Sequence, residues 1–452
     1  MGNLPFSAVD LFAGCGGLSE GFSRAGFHVV GHLERDKWAC ETLRTRVMFH
    51  FLRENGQLEW YYRYARGEVT REQIRLKFAP LSDLIESRVV EKEFGKNDYS
   101  QIISSLRVGL KAQAVSKVHV LLGGPPCQAY SLVGRARDPN RMQTDERHFL
   151  YEHYLKVLED LAPDFFVLEN VPGVLSATVG KEDIFQRMLG DFLSIKPAYE
   201  IAPTYEEYRR NPRGYLVDAA KFKIPQKRRR VLLIGYRKSL AKSHPPVTQL
   251  FLDLRKLESA TMLDVSDAIS DLPELKPGEG NDRWYGPYRE ASQLKEYQAE
   301  MREYSVGVCN HRARTHMESD LERYKFFIQH HLNGDKRATL SDLLGERPDL
   351  KPAHQHLDKF IDRFKVQWWT RPSVTVMAHI AKDGHYYIHP DNHQCRSFTV
   401  REAARCQSFT DNYFFEGPRT EQFKQVGNAV PPRMAEVVGR VLKTQLGKVY
   451  RH

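Results

Sequence analysis

Short apolar runs recur along the chain, and turn-forming or charged residues separate them. They fall at 7–12, 29–33, 118–122, 165–168 and 231–235. Apolar runs of this length, bounded by glycine, proline or an acidic residue, predict short buried strands. Together with the helical stretches between them they predict an open α/β sheet, a class of fold that binds ligands at the carboxyl ends of its strands.

Helical patterns fill much of the remaining chain. One helix is predicted at 18–25, directly after the first strand, and a last one at 434–446. The long charged stretch 49–117 also has mostly helical character, and we interpret it as a helical insertion at the sheet edge. A further helix with a buried face is predicted from the spacing of Met317, Leu321, Tyr324, Ile328 and Leu332.

Composition and charge favour a cytoplasmic protein with a polyanionic partner. Hydrophobic residues make up 41% and charged residues 27%, with neither a membrane-spanning apolar run nor a signal sequence. The net charge is +10, and residues 205–230 carry nine Lys or Arg against three acids, which suits a phosphate-facing surface. The six cysteines include no Cys-x-x-Cys pair, so we predict no metal site.

A glycine turn follows the first predicted strand. Gly14, Gly16 and Gly17 precede the first helix, and Glu34 ends the second apolar run, twenty residues after Gly14. Backbone N–H groups at such a turn face a ligand, and a carboxylate at the second strand end can accept ribose hydroxyls. Because the pattern is G-x-G-G rather than the pyrophosphate fingerprint G-x-G-x-x-G, an adenosine ligand without a pyrophosphate fits better.

Two further strand ends carry candidate chemistry. Cys127 lies on the rigid turn Gly-Gly-Pro-Pro-Cys that follows the third apolar run, and Glu169 ends the next one. A thiol and a carboxyl group at neighbouring strand ends can act on a heterocycle held between them. Arg228 and Arg230, at the start of the last strand, should point to one face and Arg229 to the other.

These motifs together resemble the DNA cytosine-5 methyltransferases of bacterial restriction-modification systems. The resemblance covers about residues 7–48, 118–237 and 372–445. It is carried by Asp-Leu-Phe-Ala-Gly-Cys-Gly-Gly at 10–17, Gly-Gly-Pro-Pro-Cys-Gln-Ala-Tyr-Ser at 123–131, Glu-Asn-Val at 169–171, Gln-Lys-Arg-Arg-Arg at 226–230 and Gly-Asn-Ala-Val-Pro-Pro at 427–432.

The resemblance implies a Rossmann-like S-adenosylmethionine-dependent methyltransferase sheet with an inserted smaller target-recognition domain. The catalytic domain would begin with 1–250, the target-recognition region would be 251–371, and 372–452 would close the catalytic fold. Residues 281–371 hold sixteen Lys or Arg and fourteen acids, so charge alone would not bind this region to DNA. Candidates for base or phosphate contacts there are Arg312, Arg314, Lys336 and Arg337.

The resemblance also implies catalytic roles. The Cys127 thiolate would attack C6 of a flipped-out cytosine, while Glu169 holds N3 and the exocyclic amine. Arg228 would bind O2, and Arg230 would support the region of Glu169. The arginine-bearing loop after Cys127, followed by Arg147, would close over the base, and the group that removes the C5 proton is left unassigned.

S-adenosylmethionine is the implied cofactor, with no metal required. By resemblance its pocket would include Asp10, Phe12, Gly14, Gly16, Glu34, Pro125 and Asn428. Many relatives have an adenine-stacking aromatic residue directly after the acid; here Arg35 follows Glu34, and Trp38 comes later. A short acidic motif that contacts adenine in the family has a candidate match at Asp83.

The implied partner is double-stranded DNA, and a cognate restriction endonuclease would act separately. We expect a monomer that does not bind membranes. One alternative is a tRNA cytosine-5 methyltransferase of the same fold, but 240–371 is long for that branch. A second is a catalytically idle DNA-binding relative, although every catalytic position is present. A small-molecule methyltransferase or a Rossmann dehydrogenase would share only the first glycine turn.

Overall fold

The predicted apolar strands align side by side in one mixed sheet. The structure is a computed structural model that describes residues 6–125, 150–179, 182–203, 210–243, 247–284, 286–289, 293–333, 337–353 and 362–450. Its strands are β1 (Ser7–Leu11), β2 (His28–Glu34), β3 (Val89–Glu91), β4 (Val120–Gly123), β5 (Phe165–Asn170), β6 (Thr178–Val179), β7 (Glu182–Asp183), β8 (Tyr199–Ala202), β9 (Leu216–Asp218), β10 (Arg229–Arg237), β11 (Gly280–Asn281) and β12 (His311–Arg312).

Helices cover both faces of this sheet and build the C-terminal half. They are α1 (Gly17–Arg24), α2 (Lys37–Glu54), α3 (Leu58–Arg66), α4 (Arg71–Lys77), α5 (Ala79–Arg88), α6 (Tyr99–Ala112), α7 (Leu150–Leu161), α8 (Ile184–Ser194), α9 (Val247–Lys256), α10 (Val265–Ile269), α11 (Glu296–Met301), α12 (Glu318–Asn333), α13 (Leu340–Glu346), α14 (Val400–Cys406), α15 (Arg419–Asn428) and α16 (Pro432–Val449). Short 3-10 turns lie at Pro172–Ser176, Pro212–Tyr215, Ala219–Phe222, Lys238–Ser243, Pro348–Leu350, Ala378–Ala381 and His385–Tyr387.

The main sheet has the strand order β3-β2-β1-β4-β5-β10-β8, with β9 paired to β10. The strands from β3 to β5 pair in parallel, whereas β10 runs antiparallel to β5 and β8. The chain order reverses between β1 and β4, and the crevice above such a point is where open α/β sheets bind ligands. The predicted Rossmann-like α/β fold is therefore confirmed.

The last helix packs back on the start of the chain. Met434, Val438 and Leu442 of α16 lie in the same buried cluster as Ala8 of β1. A side chain at Gly21 of α1 would collide with the backbone of α16, so the two helices need glycine there to approach closely. This agrees with the sequence expectation for the C-terminal segment, which closes the catalytic sheet.

The charged stretch 49–117 contains the end of α2 and all of α3 to α6, in agreement with the helical interpretation, and it adds the edge strand β3. The charged sequence gave no signal for β3, which pairs in parallel with β2. The Tyr61 hydroxyl of α3 donates to the Asn412 carbonyl at 2.5 Å, and the Tyr64 hydroxyl donates to Glu416 at 2.6 Å. The insertion thus braces the N-terminal sheet against the C-terminal segment.

The region after α9 has its own small hydrophobic core. Tyr324 and Ile328 of α12 are buried in it, as the helical spacing predicted, whereas Met317 is 65% exposed because it precedes the helix. Ile388 and Cys395 belong to the same core. The boundary at 371 therefore stays a prediction, since packing continues across it.

Three arginines without solvent exposure tie this region to the C-terminal segment: Arg396, Arg401 and Arg405. Arg396 forms a bidentate pair with Glu402 at 2.7 and 2.8 Å. Arg405 pairs with Asp271 and, at 2.6 Å, with Asp411. Burial would raise the pKa of Glu402 and of Asp411, but nearby cations, Arg396 for Glu402 and Arg405 for Asp411, hold both values below the ordinary one. Removing one partner would leave a buried charge uncompensated.

We predict that Arg405→Ala lowers the free energy of unfolding by about 3–5 kcal/mol, because it strands the buried carboxylates of Asp271 and Asp411. Arg289→Ala is the matched control, since Arg289 pairs with Glu274 at 2.6 Å on the surface. That exposed pair should contribute only about 0–1 kcal/mol. Urea denaturation followed by circular dichroism measures both variants, and equal losses would contradict a structural role for the buried pair.

Candidate active site

The glycine turn after β1 is held by its neighbour strand. Gly14 and Gly16 have φ angles of +55° and +89°, in the left-handed region that glycine adopts without strain. The Gly14 N–H donates to Glu34 Oε2 at 2.7 Å. A Cβ atom added at Gly14 would meet nothing within 4 Å, so the turn leaves open space on that side.

Glu34 is fixed by three backbone donors. Its Oε2 accepts from Gly14, while its Oε1 accepts from the N–H groups of Arg35 and Asp36, each at 2.8 Å. Burial raises the pKa of Glu34, and these hydrogen bonds partly oppose that rise. The carboxylate is therefore oriented at the carboxyl end of β2, with lone pairs left to accept further hydroxyl donors.

Asp10 lies beneath the turn and is fully buried. Its Oδ2 accepts from the Ser19 hydroxyl, whereas its Oδ1 has no hydrogen-bond partner among the described residues. Burial raises the pKa of Asp10 to about 7. A buried carboxyl oxygen without a donor is costly, so this atom suits a ligand that brings a donor or a positive charge.

The side of the pocket toward β3 departs from the sequence expectation. Asp83 is exposed on α5, away from a strand end, because β3 begins only at Val89. Phe94, which follows β3, lies 5.2 Å from Phe12 between ring centroids. Trp38 packs against Gly417, where an added Cβ would lie 2.6 Å from the indole ring.

The predicted catalytic turn begins at the end of β4, next to the end of β5. A Cβ atom added at Gly124 would lie 3.1 Å from Glu169 Oε2, which means that the backbone passes directly over this carboxylate. Pro125 follows and is buried. Cys127, three residues beyond Gly124, lies outside the described residues, as do its following loop and Arg147.

Arg230 reaches the same carboxylate from β10. Its Nε lies 2.7 Å from Glu169 Oε1, and the two side chains are 10% and 12% exposed. In the antiparallel register Leu232 faces Glu169, so Arg230 is two residues further along the same face. The expected contact between Arg230 and the region of Glu169 is present.

Arg228 lies in a different environment from Arg230. It shares the buried side with Arg230 while Arg229 is exposed, as the alternation predicted. However, its guanidinium donates to the carbonyls of Val376, Gly427 and Ala429, and the side chain is only 1% exposed. Because Arg228 precedes β10, it points into the interface with the C-terminal segment, and its predicted contact with cytosine O2 stays a prediction.

The C-terminal motif lies against the glycine turn. The Cys15 thiol donates to the Gln425 carbonyl at 3.5 Å, and a side chain at Gly17 would collide with the Val430 carbonyl. Asn428, the last residue of α15, is exposed between these contacts. The turn 13–17 is thus enclosed by Glu34 on one side and by 425–430 on the other.

The match to the family model of C-5 cytosine-specific DNA methylases covers residues 6–55 and 91–444. The chain belongs to this family. Type II methyltransferase M.Bpa9945I of Bacillus paralicheniformis is 41% identical over 96% of this chain and 98% of its own. Type II methyltransferase M.DdeI of Desulfomicrobium norvegicum is 28% identical over 95% and 86%.

A solved structure supports the fold of this DNA cytosine-5 methyltransferase. It is that of a proposed DNA modification methyltransferase encoded within an E. coli prophage, with a TM-score of 0.62 at 21% identity and coverage of 98% of this chain and 99% of that one. The family match omits 56–90, which coincides with α3 to α5. These three helices are therefore an addition to the family core. The addition, at 56–90, is shorter than the predicted insertion at 49–117.

Five further cysteines of the methyltransferase lie among the described residues. Cys15, Cys40, Cys309, Cys395 and Cys406 are all buried, and burial raises the pKa of each thiol. Across the described ranges no group of His, Cys, Asp and Glu could hold a metal ion. No described helix is long and apolar enough to cross a membrane.

We predict that alanine substitution of Arg228 mainly lowers stability, whereas alanine substitution of Arg230 mainly lowers the methylation rate. Arg228→Ala should cost about 3 kcal/mol of stability, because three buried carbonyls lose a charged donor. Arg230→Ala should cost about 1 kcal/mol and should lower the methylation rate about 100-fold through the loss of its contact with Glu169. Denaturation midpoints and single-turnover rates separate the two, and a stable, inactive Arg228→Ala protein would support the predicted contact of Arg228 with cytosine O2.

Proposed function

We propose that this methyltransferase modifies C5 of a flipped-out cytosine in a specific short duplex DNA sequence, through a covalent adduct between Cys127 and C6. We further propose that it is the modification enzyme of a type II restriction-modification system, paired with a separately acting endonuclease. One observation carries the proposal. The backbone that leads into the Cys127 turn passes over Glu169, and Arg230 is paired with the same carboxylate.

The cofactor in this proposal is S-adenosylmethionine. Its charged amino group suits the unpartnered Oδ1 of Asp10, its ribose suits Glu34, and the open side of Gly14 allows close approach. When bound, it supplies an electrophilic methyl group on its sulfonium. Phe12, Gly16, Pro125 and Asn428 complete the proposed pocket, and the adenine-stacking residue stays open.

The first step assigned to this chain is activation of the base. The Cys127 thiolate forms a bond to C6, and the C5–C6 π electrons move through the ring to N3, which takes a proton from Glu169. The Arg230 guanidinium, held by Glu169, is in reach of the adjoining O2 and stabilises charge that develops there. In this proposal Arg230 takes the O2 contact that the sequence had suggested for Arg228.

The later steps reverse the activation. Once C5 carries the methyl group, a base removes the C5 proton, and the electrons of that C–H bond re-form the C5–C6 double bond. The bond between sulfur and C6 breaks, the thiolate of Cys127 leaves, and the N3 proton returns to Glu169. A base stacked inside a duplex would not reach these groups, so the target must leave the helix.

The division of the chain is part of the proposal. Residues 1–250 and 372–452 would form the catalytic domain, and 251–371 would recognise the DNA sequence. The small core around α12 supports a separate packing unit in that region. Its contacts with 388–395 suggest that the unit extends past residue 371.

We expect Cys127→Ala to abolish cytosine methylation, because the proposed reaction begins with the addition of this thiolate to C6. Bisulfite sequencing of DNA from cells that express each variant reads both activity and sequence context. Cys395→Ala is the matched control, because this buried thiol packs in the core around α12. Methylation retained by Cys127→Ala would reject the nucleophile. Methylated tRNA with unmethylated DNA in the wild type would instead favour the RNA branch.

Glu34→Gln should weaken S-adenosylmethionine binding about 10- to 100-fold, because the amide replaces a carboxylate acceptor at both the ribose and the Gly14 N–H. Isothermal calorimetry measures the affinity. Glu54→Gln, at the exposed end of α2, removes the same charge without touching the turn and should bind normally. Equal affinities in both variants would place the ribose elsewhere.

A further inference from the structure

Surface arginines of this protein are usually neutralised by neighbouring carboxylates. In the insertion and the strands beside it, Arg44 pairs with Glu91 at 2.8 Å. Arg66 pairs with Glu59 at 2.6 Å and with Glu68 at 2.5 Å. Such pairing leaves little net charge for a polyanionic ligand. The cations that are open to a polyanionic ligand are those without a carboxylate partner, and several of them lie together at one edge of the candidate site.

Four such cations adjoin the active-site edge: Lys227, Arg229, Arg337 and Arg371. Lys227, Arg229 and Arg371 are exposed, and Arg337 is half-buried. Among the described residues none of the four has a carboxylate within ion-pair distance. Asp362, whose charge acts on Arg337, is itself paired with Lys365 at 2.6 Å. We call these four residues the basic strip.

The backbone brings the two halves of the basic strip together. The Lys227 N–H donates to the Ser373 carbonyl, and the Ser373 N–H donates to the Pro225 carbonyl, both at 2.9 Å. The segment that starts at Arg371 therefore runs beside the one that carries Lys227 and Arg229. Arg229 in turn directly precedes Arg230 of the catalytic ion pair, so the strip begins at the proposed base pocket.

An aromatic side chain supports the far half of the strip. The Arg371 guanidinium lies 4.5 Å from the centre of the Trp368 ring. The centre of the His331 ring lies 3.7 Å from the centre of the same Trp368 ring. Burial, and then the charges of Arg337 and Arg371, lower the pKa of His331 to about 4, so it is neutral at pH 7. Arg337 also lies close enough to Arg371 for their charges to repel.

An anion bound between Arg337 and Arg371 would offset the repulsion of two charges that have no carboxylate at ion-pair distance among the described residues. Phosphodiester groups suit this arrangement, because guanidinium groups bind phosphate oxygens through paired hydrogen bonds. We propose that the basic strip binds the phosphate backbone of duplex DNA between the base pocket and the recognition region, with Trp368 holding Arg371 in place. This inference rests on the proposed function. In it the basic strip contributes to the affinity for DNA and not to the recognition of a base sequence.

The test is the salt dependence of binding to a fluorescent duplex of random sequence, because non-specific affinity comes almost entirely from phosphate contacts. The double variant R337A/R371A should lower the slope of log affinity against log salt by about 2, which is about 1 for each lost contact. In methylation assays its KM should rise while kcat and the methylated sequence stay the same.

The matched control is R66A/R75A, which removes the same charge from the insertion. Those arginines already face Glu59, Glu68 and Glu86, so the slope should not change. R337K/R371K keeps the charge and should retain most of the slope, which separates phosphate binding from a structural role. Melting temperatures identify a variant that has lost its fold. If R337A/R371A has done so, the salt slope of R337K/R371K is compared with that of the wild type.

Equal slopes for wild type, R337A/R371A and R66A/R75A would overturn the basic strip. A loss of slope shared by the alanine and lysine variants would also overturn it, because the cause would then be local structure. Bisulfite sequencing of the wild type tests the proposed function separately. Methylated DNA with unchanged slopes rejects the strip alone, whereas unmethylated DNA rejects the proposed function itself.

Discussion

The arrangement of the candidate site depends on one constraint, the parallel pairing of β1, β2, β4 and β5. Parallel strands end at the same edge of a sheet, so the residues that follow them meet there although they are far apart in sequence. Gly14, Glu34, Gly124 and Glu169 come together for this reason. The antiparallel strand β10 starts at that edge and adds Arg230 from the opposite chain direction.

A second constraint is the burial of arginine charge in the C-terminal half. Arg396, Arg401 and Arg405 have no solvent exposure, and each is surrounded by carboxylates or backbone carbonyls. Such groups are stable only when every partner is in place, so they fix how 271–311 meets 396–415. The stretch 271–311 is thereby attached through directional contacts as well as apolar packing.

Adjacent arginines of one motif have different environments. Arg228 is enclosed by carbonyls of the C-terminal segment, Arg229 faces solvent, and Arg230 is paired with Glu169. The period of a strand separates Arg229 from the other two. Arg228 and Arg230 differ because different segments lie beside them. Residues 376–429 cover the chain just before β10, where Arg228 lies, whereas the first residues of β10, including Arg230, lie beside β5.

The sequence by itself determined five strands of the main sheet, the glycine turn, the position of Gly124 and Glu169 at neighbouring strand ends, and the family. These are local patterns of burial and turn chemistry, and the chain carries them within a few residues. Only the tertiary structure decided that β3 belongs to the sheet, that Trp38 packs on Gly417, and that Arg228 is enclosed by carbonyls of the C-terminal segment. Each of these features depends on which segment, distant in sequence, packs beside the residue or strand. The packing of the whole chain determines that choice.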